Sequence, residues 1–86
     1  PIYYNLLADV YYREGFKFGT DKKWNEGKNL IQKAVELNPT NANYWYDLGG
    51  FAYNAQDYVK AKEAWSKAYQ LNPKDTNIIK VQGILK

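Results

Sequence analysis

Residues 42–73 read ANYWYDLGGFAYNAQDYVKAKEAWSKAYQLNP, and this stretch decides the fold. Trp45, Leu48 and Gly49 fall on one side of a first helix. Tyr58, Ala61, Trp65 and Ala68 fall on one side of a second. The apolar residues recur with the helix turn and do not alternate, so helices are expected and strands are not. Ala55-Gln56 supplies a turn and Asp57 can cap the second helix. Asn72-Pro73 stops it, because a residue before proline avoids the helical region. Two amphipathic helices, about 42–54 and 58–71, therefore form a hairpin.

Working outward, residues 1–19 carry Tyr3, Leu7, Val10, Tyr11 and Phe18 at helical spacing. Pro1 is tolerated in a first turn, where its missing donor costs nothing. Gly19 and Thr20 end this helix, and Asp21 can cap the next. That helix, 24–37, turns Trp24, Leu30, Ile31, Ala34 and Leu37 inward and stops at Asn38-Pro39. Thr40 or Asn41 caps the helix that starts at Ala42. Asp75 caps a fifth helix, 76–86, with Ile78, Ile79, Val81, Ile84 and Leu85.

Pro39 and Pro73 stand 34 residues apart, and the whole chain repeats at that step. Laying 8–41 over 42–75 gives nine identities: Ala8/Ala42, Tyr12/Tyr46, Gly15/Gly49, Lys28/Lys62, Lys33/Lys67, Ala34/Ala68, Leu37/Leu71, Asn38/Asn72 and Pro39/Pro73. Chance alone would give roughly two at typical residue usage. The same step carries Asn43 to Asn77 and Gly49 to Gly83, so a third unit begins at Thr76.

In the second unit, Trp45, Leu48, Gly49, Ala61, Trp65, Ala68 and Pro73 resemble the signature of the tetratricopeptide repeat, a helix-turn-helix unit. Ala52 stands where that family usually has Tyr. The first unit is looser: Glu14 replaces the usual Leu, and Gly27 the usual Ala. The resemblance implies an all-α fold of antiparallel helix-turn-helix repeats, a right-handed α-solenoid of about five helices in a single domain. Repeats at 8–41 and 42–75 would be followed by a half repeat or capping helix at 76–86. Small residues at 15, 34, 49, 61 and 68 let the helices approach, while Trp24, Tyr58 and Trp65 fill the gaps. Glu14 and Lys17 lie where a preceding repeat would pack, so residues 1–19 are expected to cap the stack. The fifth helix is apolar on several sides, so this end is expected to meet further chain or a partner.

Composition narrows the function. The chain has no Cys, so disulfides and thiolate metal sites are excluded, and no His. Its carboxylates are scattered, no phosphate loop is present, and Gly49-Gly50 follows no strand. No catalytic, cofactor or metal residues are expected, and the chain is read as no enzyme. Net charge is +3, and the one basic concentration, Lys17, Lys22, Lys23 and Lys28, reads as a solvated turn. Nucleic-acid binding needs a denser basic face. No apolar run is long enough to span a membrane. A chain that starts at Pro1 and holds no Met is expected to be a piece of a longer protein.

A protein or peptide partner remains. The resemblance implies that the first helix of each repeat lines a concave groove. Carried over, its residues are Asp9, Tyr12, Arg13 and Phe16 from the first unit. The second gives Asn43, Tyr46, Asp47, Gly50, Tyr53 and Asn54, and the third Asn77, Lys80 and Val81. Tyrosine offers rigid contact area, and asparagine can pair with the backbone of an extended peptide. Gly50 leaves a dip between Phe16 and Tyr46. Tyr12 and Tyr46 serve either groove or core, whereas Trp45 and Trp65 read as core. Chaperone-binding family members grip a terminal carboxylate with Lys and Asn. The matching positions here are Tyr12, Phe16, Asp47, Asn77 and Val81, which build no such clamp. Two other readings are kept. One is assembly or self-association through Ile78, Ile79, Ile84 and Leu85, and the other is a regulatory domain of a larger enzyme.

Overall fold

Five α-helices and one 3-10 turn follow one another in the computed structural model, which describes residues 2–84. They are α1 (Ile2–Lys17), the 3-10 turn Phe18–Asp21, α2 (Trp24–Leu37), α3 (Ala42–Asn54), α4 (Tyr58–Leu71) and α5 (Thr76–Gln82). Among the described residues there is no strand. α1 packs antiparallel on α2 and α3 on α4, while α2–α3 and α4–α5 contacts join successive hairpins. The thinnest dimension is 18 Å, close to two helix diameters of about 10 Å. The fold is the expected series of helix-turn-helix repeats.

Side chains close most helix starts. The Asn41 carboxamide oxygen accepts from the Asn43 and Tyr44 amides at 3.0 and 3.2 Å, so Asn41 caps α3. Asp75 caps α5 through the Asn77 and Ile78 amides. Asp57 accepts from the Lys60 amide at 3.2 Å and also pairs with Lys28 Nζ at 3.1 Å. It thereby ties α2 to the start of α4, so Lys28 is engaged and not freely solvated. Asp21 does not cap α2. It lies inside the 3-10 turn, and α2 starts from Lys23 with no side-chain cap.

Both hairpin turns close the same way. The Asp57 amide donates to the Ala52 carbonyl at 2.8 Å and the Gln56 amide to Tyr53 at 3.0 Å. One repeat earlier the Lys23 amide donates to Phe18 at 2.9 Å and the Lys22 amide to Gly19 at 3.1 Å. This paired bonding is the Schellman motif, which needs one left-handed residue. Lys22 (φ 57) and Gln56 (φ 65) supply it.

The core runs between the helix pairs. Ile31, Leu48, Val35 and Ile78 are its largest fully buried side chains. Gly15, Gly27 and Gly49 mark the closest approaches. A methyl at Gly15 would stand 2.9 Å from the Gly27 carbonyl oxygen. One at Gly27 would run into the Phe51 ring, and one at Gly49 into the Trp65 indole. Gly27 thus leaves the space that Phe51 fills.

Several inward assignments are corrected. Tyr58 is half exposed, lying against Tyr53 and not between helices. Of the apolar residues at helical spacing in α1, Tyr3 and Val10 are exposed, and Ala8 and Gly15 form its buried edge. Trp45 is only partly buried, its indole N–H donating to the Pro39 carbonyl at 2.7 Å, whereas Trp65 is core. α5 ends at Gln82, before a turn at Gly83 and Ile84, and not at Lys86. Ile78 is buried against its own chain, so it offers no surface for self-association; Ile79 and Ile84 stay exposed. Pro1 in the first turn, and Leu85 as part of an apolar end, lie outside the described residues.

Candidate functional site

The candidate site is the row of α1, α3 and α5, the first helices of the successive units. α3 buries Tyr44, Leu48, Phe51 and Ala52, and leaves Asn43, Tyr53 and Asn54 exposed. Tyr46, Asp47 and Gly50 are partly covered.

α1 and α3 meet here through side chains. The Tyr12 hydroxyl donates to Asp47 Oδ2, a contact between part-buried groups. The Tyr44 hydroxyl donates back to Asp9 Oδ1 at 3.3 Å. The two rings stack with centroids 4.6 Å apart and 23° between planes. Each helix thus gives one phenol and one carboxylate, a reciprocal clasp. Arg13 Nε pairs with Asp9 Oδ2 at 2.8 Å and completes it on the solvent side.

The electrostatics follow from burial. Burial pushes the Asp47 carboxyl above the usual aspartate range, and the hydrogen bond from Tyr12 pulls the other way. Burial also raises Tyr12, reinforced by its bond to Asp47 and that charge, so the phenol stays protonated and donates. Tyr44 is raised by burial first and then by the Asp9 charge.

The rest of the row differs along its length. Phe16 is half exposed, tilted against Tyr12 and Phe51 with centroids 5.8 and 6.0 Å away. With Gly19, Thr20, Trp24 and Phe51 it lines an apolar depression of about 250 Å³. At Gly50 a methyl would meet no atom within 4 Å, so the backbone lies open there. Tyr53 tilts over Trp65 with centroids 5.7 Å apart. Tyr46 packs against the cluster of Ala52, Ala61 and Trp65, as does Val81, and its carbonyl accepts from Trp65 Nε1 at 3.0 Å. Asn77 and Lys80 are exposed on α5.

The structure therefore divides the expected residues. Tyr12, Arg13 and Asp47 are held by intramolecular partners, with Asp9 between them. Asn43, Gly50, Tyr53, Asn54, Asn77 and Lys80 are open to solvent to varying degrees. Tyr44 was missed by sequence reasoning. It stands one position from the expected row, and only its 35-residue spacing from Asp9, matching that of Tyr12 and Asp47, hinted at the clasp. Among the described residues no group of His, Cys, Asp or Glu could hold a metal ion. Among them, too, no helix is long and apolar enough to cross a membrane.

With this geometry in view, known proteins supply a comparison. Residues 42–75 match the family model described as tetratricopeptide repeat. Over 75 residues the chain is 25% identical to human "Protein O-mannosyl-transferase TMTC1". The match covers 87% of this chain but 8% of that relative's length.

Proposed function

We propose that the chain, whose residues 42–75 match the model of a repeat that generally mediates protein–protein interaction, is a non-catalytic module binding a peptide segment along the face of α1, α3 and α5. The observation that carries this reading is α3 itself. Its buried side is filled by Leu48, Gly49, Phe51 and Ala52, while Asn43, Gly50 and Tyr53 remain available on the other. A tyrosine whose ring is fixed against Trp65 presents contact area at little entropic cost. The transferase named above is matched over too small a share of its length for its activity to carry over.

The test is direct. A random linear-peptide display library is selected on the 86-residue chain, and the recovered peptides are synthesised and titrated into isotope-labelled protein. Saturable amide shifts within the row of α1, α3 and α5, and not on α2 and α4, are expected, and Tyr53→Ala should weaken binding while leaving the helical circular dichroism unchanged. A shift map centred on α2 and α4 would sink the reading, as would unchanged affinity in Tyr53→Ala.

A further inference from the structure

The clasp between α1 and α3 has no counterpart one repeat later. Advancing its four members by 34 residues turns Tyr12 and Asp47 into Tyr46 and Val81. It turns Asp9 and Tyr44 into Asn43 and Ile78. Each hydrogen-bonded pair thus keeps one polar member and loses the other to an apolar residue. Val81 and Tyr46 pack on the same apolar cluster, and Ile78 is buried. Among the described residues, neither the Asn43 carboxamide nor the Tyr46 hydroxyl has an intramolecular hydrogen-bond partner.

Three further differences run the same way. Phe16 covers α1 where Gly50, its counterpart on α3, leaves the backbone approachable. The carboxylates of the α1–α3 half are both occupied by tyrosine hydroxyls. Lys80, which follows Tyr12 and Tyr46 in phase, is an exposed cation with no ion pair among the described residues. Arg13, the other cation of the row, already has Asp9.

We propose that partner recognition is confined to the α3–α5 half of the row, and that the segment recognised is an extended acidic peptide; this rests on the groove reading above. Its backbone pairs with Asn43 and Tyr46 over the open Gly50, and its carboxylate meets Lys80. The α1–α3 half is spent on holding the two hairpins together. Recruiting its groups would strip the part-buried Asp47 carboxyl of its donor, which is costly. At Asn43 and Tyr46 nothing has to be broken.

The peptides recovered by display decide the matter. They should be enriched in Asp and Glu, and their saturable shifts should centre on the amides of α3 and α5. Lys80→Ala, at an exposed position, should weaken binding about tenfold or more, as expected for one charge-assisted contact. Lys62→Ala removes the same charge from an exposed site on α4 and should change affinity by less than about twofold. Shifts centred on α1, equal losses in the two lysine variants, or no preference for acidic peptides would overturn the proposal while leaving the groove reading intact. Shifts on α2 and α4 would remove both.

Discussion

At Asp47 two effects compete within one side chain. Burial disfavours its charge and raises its carboxyl above the reference value of 3.8, while the Tyr12 hydroxyl partly compensates. A raised folded-state value means that the native chain binds the proton more tightly than the unfolded one. The stability it contributes is fully present below 3.8 and is lost as pH rises through the raised value. Asp57 runs oppositely. The Lys28 hydrogen bond and the Lys60 amide lower it, so its contribution is present above 3.8 and lost as pH falls through the lowered value. Asp47→Asn keeps an oxygen acceptor for Tyr12 and removes the part-buried charge. It should leave neutral-pH stability unchanged or raise it by up to about 1 kcal/mol, with the gain vanishing in acid. Tyr12→Phe strands the carboxyl instead and should cost about 1–3 kcal/mol at neutral pH, less in acid. Urea titrations across the acidic range check both, and a more stable Tyr12→Phe would show that the clasp contributes nothing.

At the scale of the element, the turns were the part least legible in the sequence. The helices themselves were plain, because Ile31, Ala34, Leu48, Ala61, Trp65 and Ala68 recur at helical spacing and Asn41, Asp57 and Asp75 are strong caps. The left-handed residues were not, because Lys22 and Gln56 stand where glycine is the usual signal. Asp21 misled for a related reason. A capping residue type sits there, but the Schellman bonding at Lys22 and Lys23 starts α2 later. The candidate row was legible as positions but not as partners. Whether Tyr12 faces a ligand or Asp47 depends on a contact between helices 35 residues apart, which spacing on one helix does not report. Helical spacing with Ala61, Trp65 and Ala68 places Tyr58 inward, yet α4 begins there, and its ring lies against Tyr53. The turn carries its own prediction. Gln56→Gly should be neutral or stabilising by up to about 1 kcal/mol, since relief of left-handed strain and unfolded-state entropy oppose each other. Gln56→Val should cost about 1–2 kcal/mol, because a β-branched residue resists positive φ. Thermal denaturation of the pair decides it, and equal midpoints would mean the strain is relieved elsewhere.

Over the whole molecule, the helices pack most closely within each hairpin, and the hairpins then stack on one another. α2 and α3 lie between packed helices on both sides, and the Lys28–Asp57 pair and the Tyr–Asp clasp tie the two hairpins together further. α5 is short and rests chiefly on α4, with Ile78 as its one buried side chain. Stability should therefore fall toward α5, and local opening there should precede global unfolding. Amide hydrogen exchange gives the reading: slowest in α2 and α3, and fastest among the helices in α5. Ile78→Ala sharpens the test. Removing a buried isoleucine costs about 2–5 kcal/mol where the whole structure depends on it. Here the loss should appear as at least about tenfold faster exchange across α5, with α1 and α2 nearly unchanged. A uniform loss of protection through all five helices would mean that the chain unfolds as one unit, with α5 as integral to it as α3. The distinction bears on the site, because Asn77 and Lys80 ride on α5. If α5 opens locally, a segment bridging α3 and α5 must close it, and exchange in α5 should slow on peptide binding while exchange in α1 stays the same.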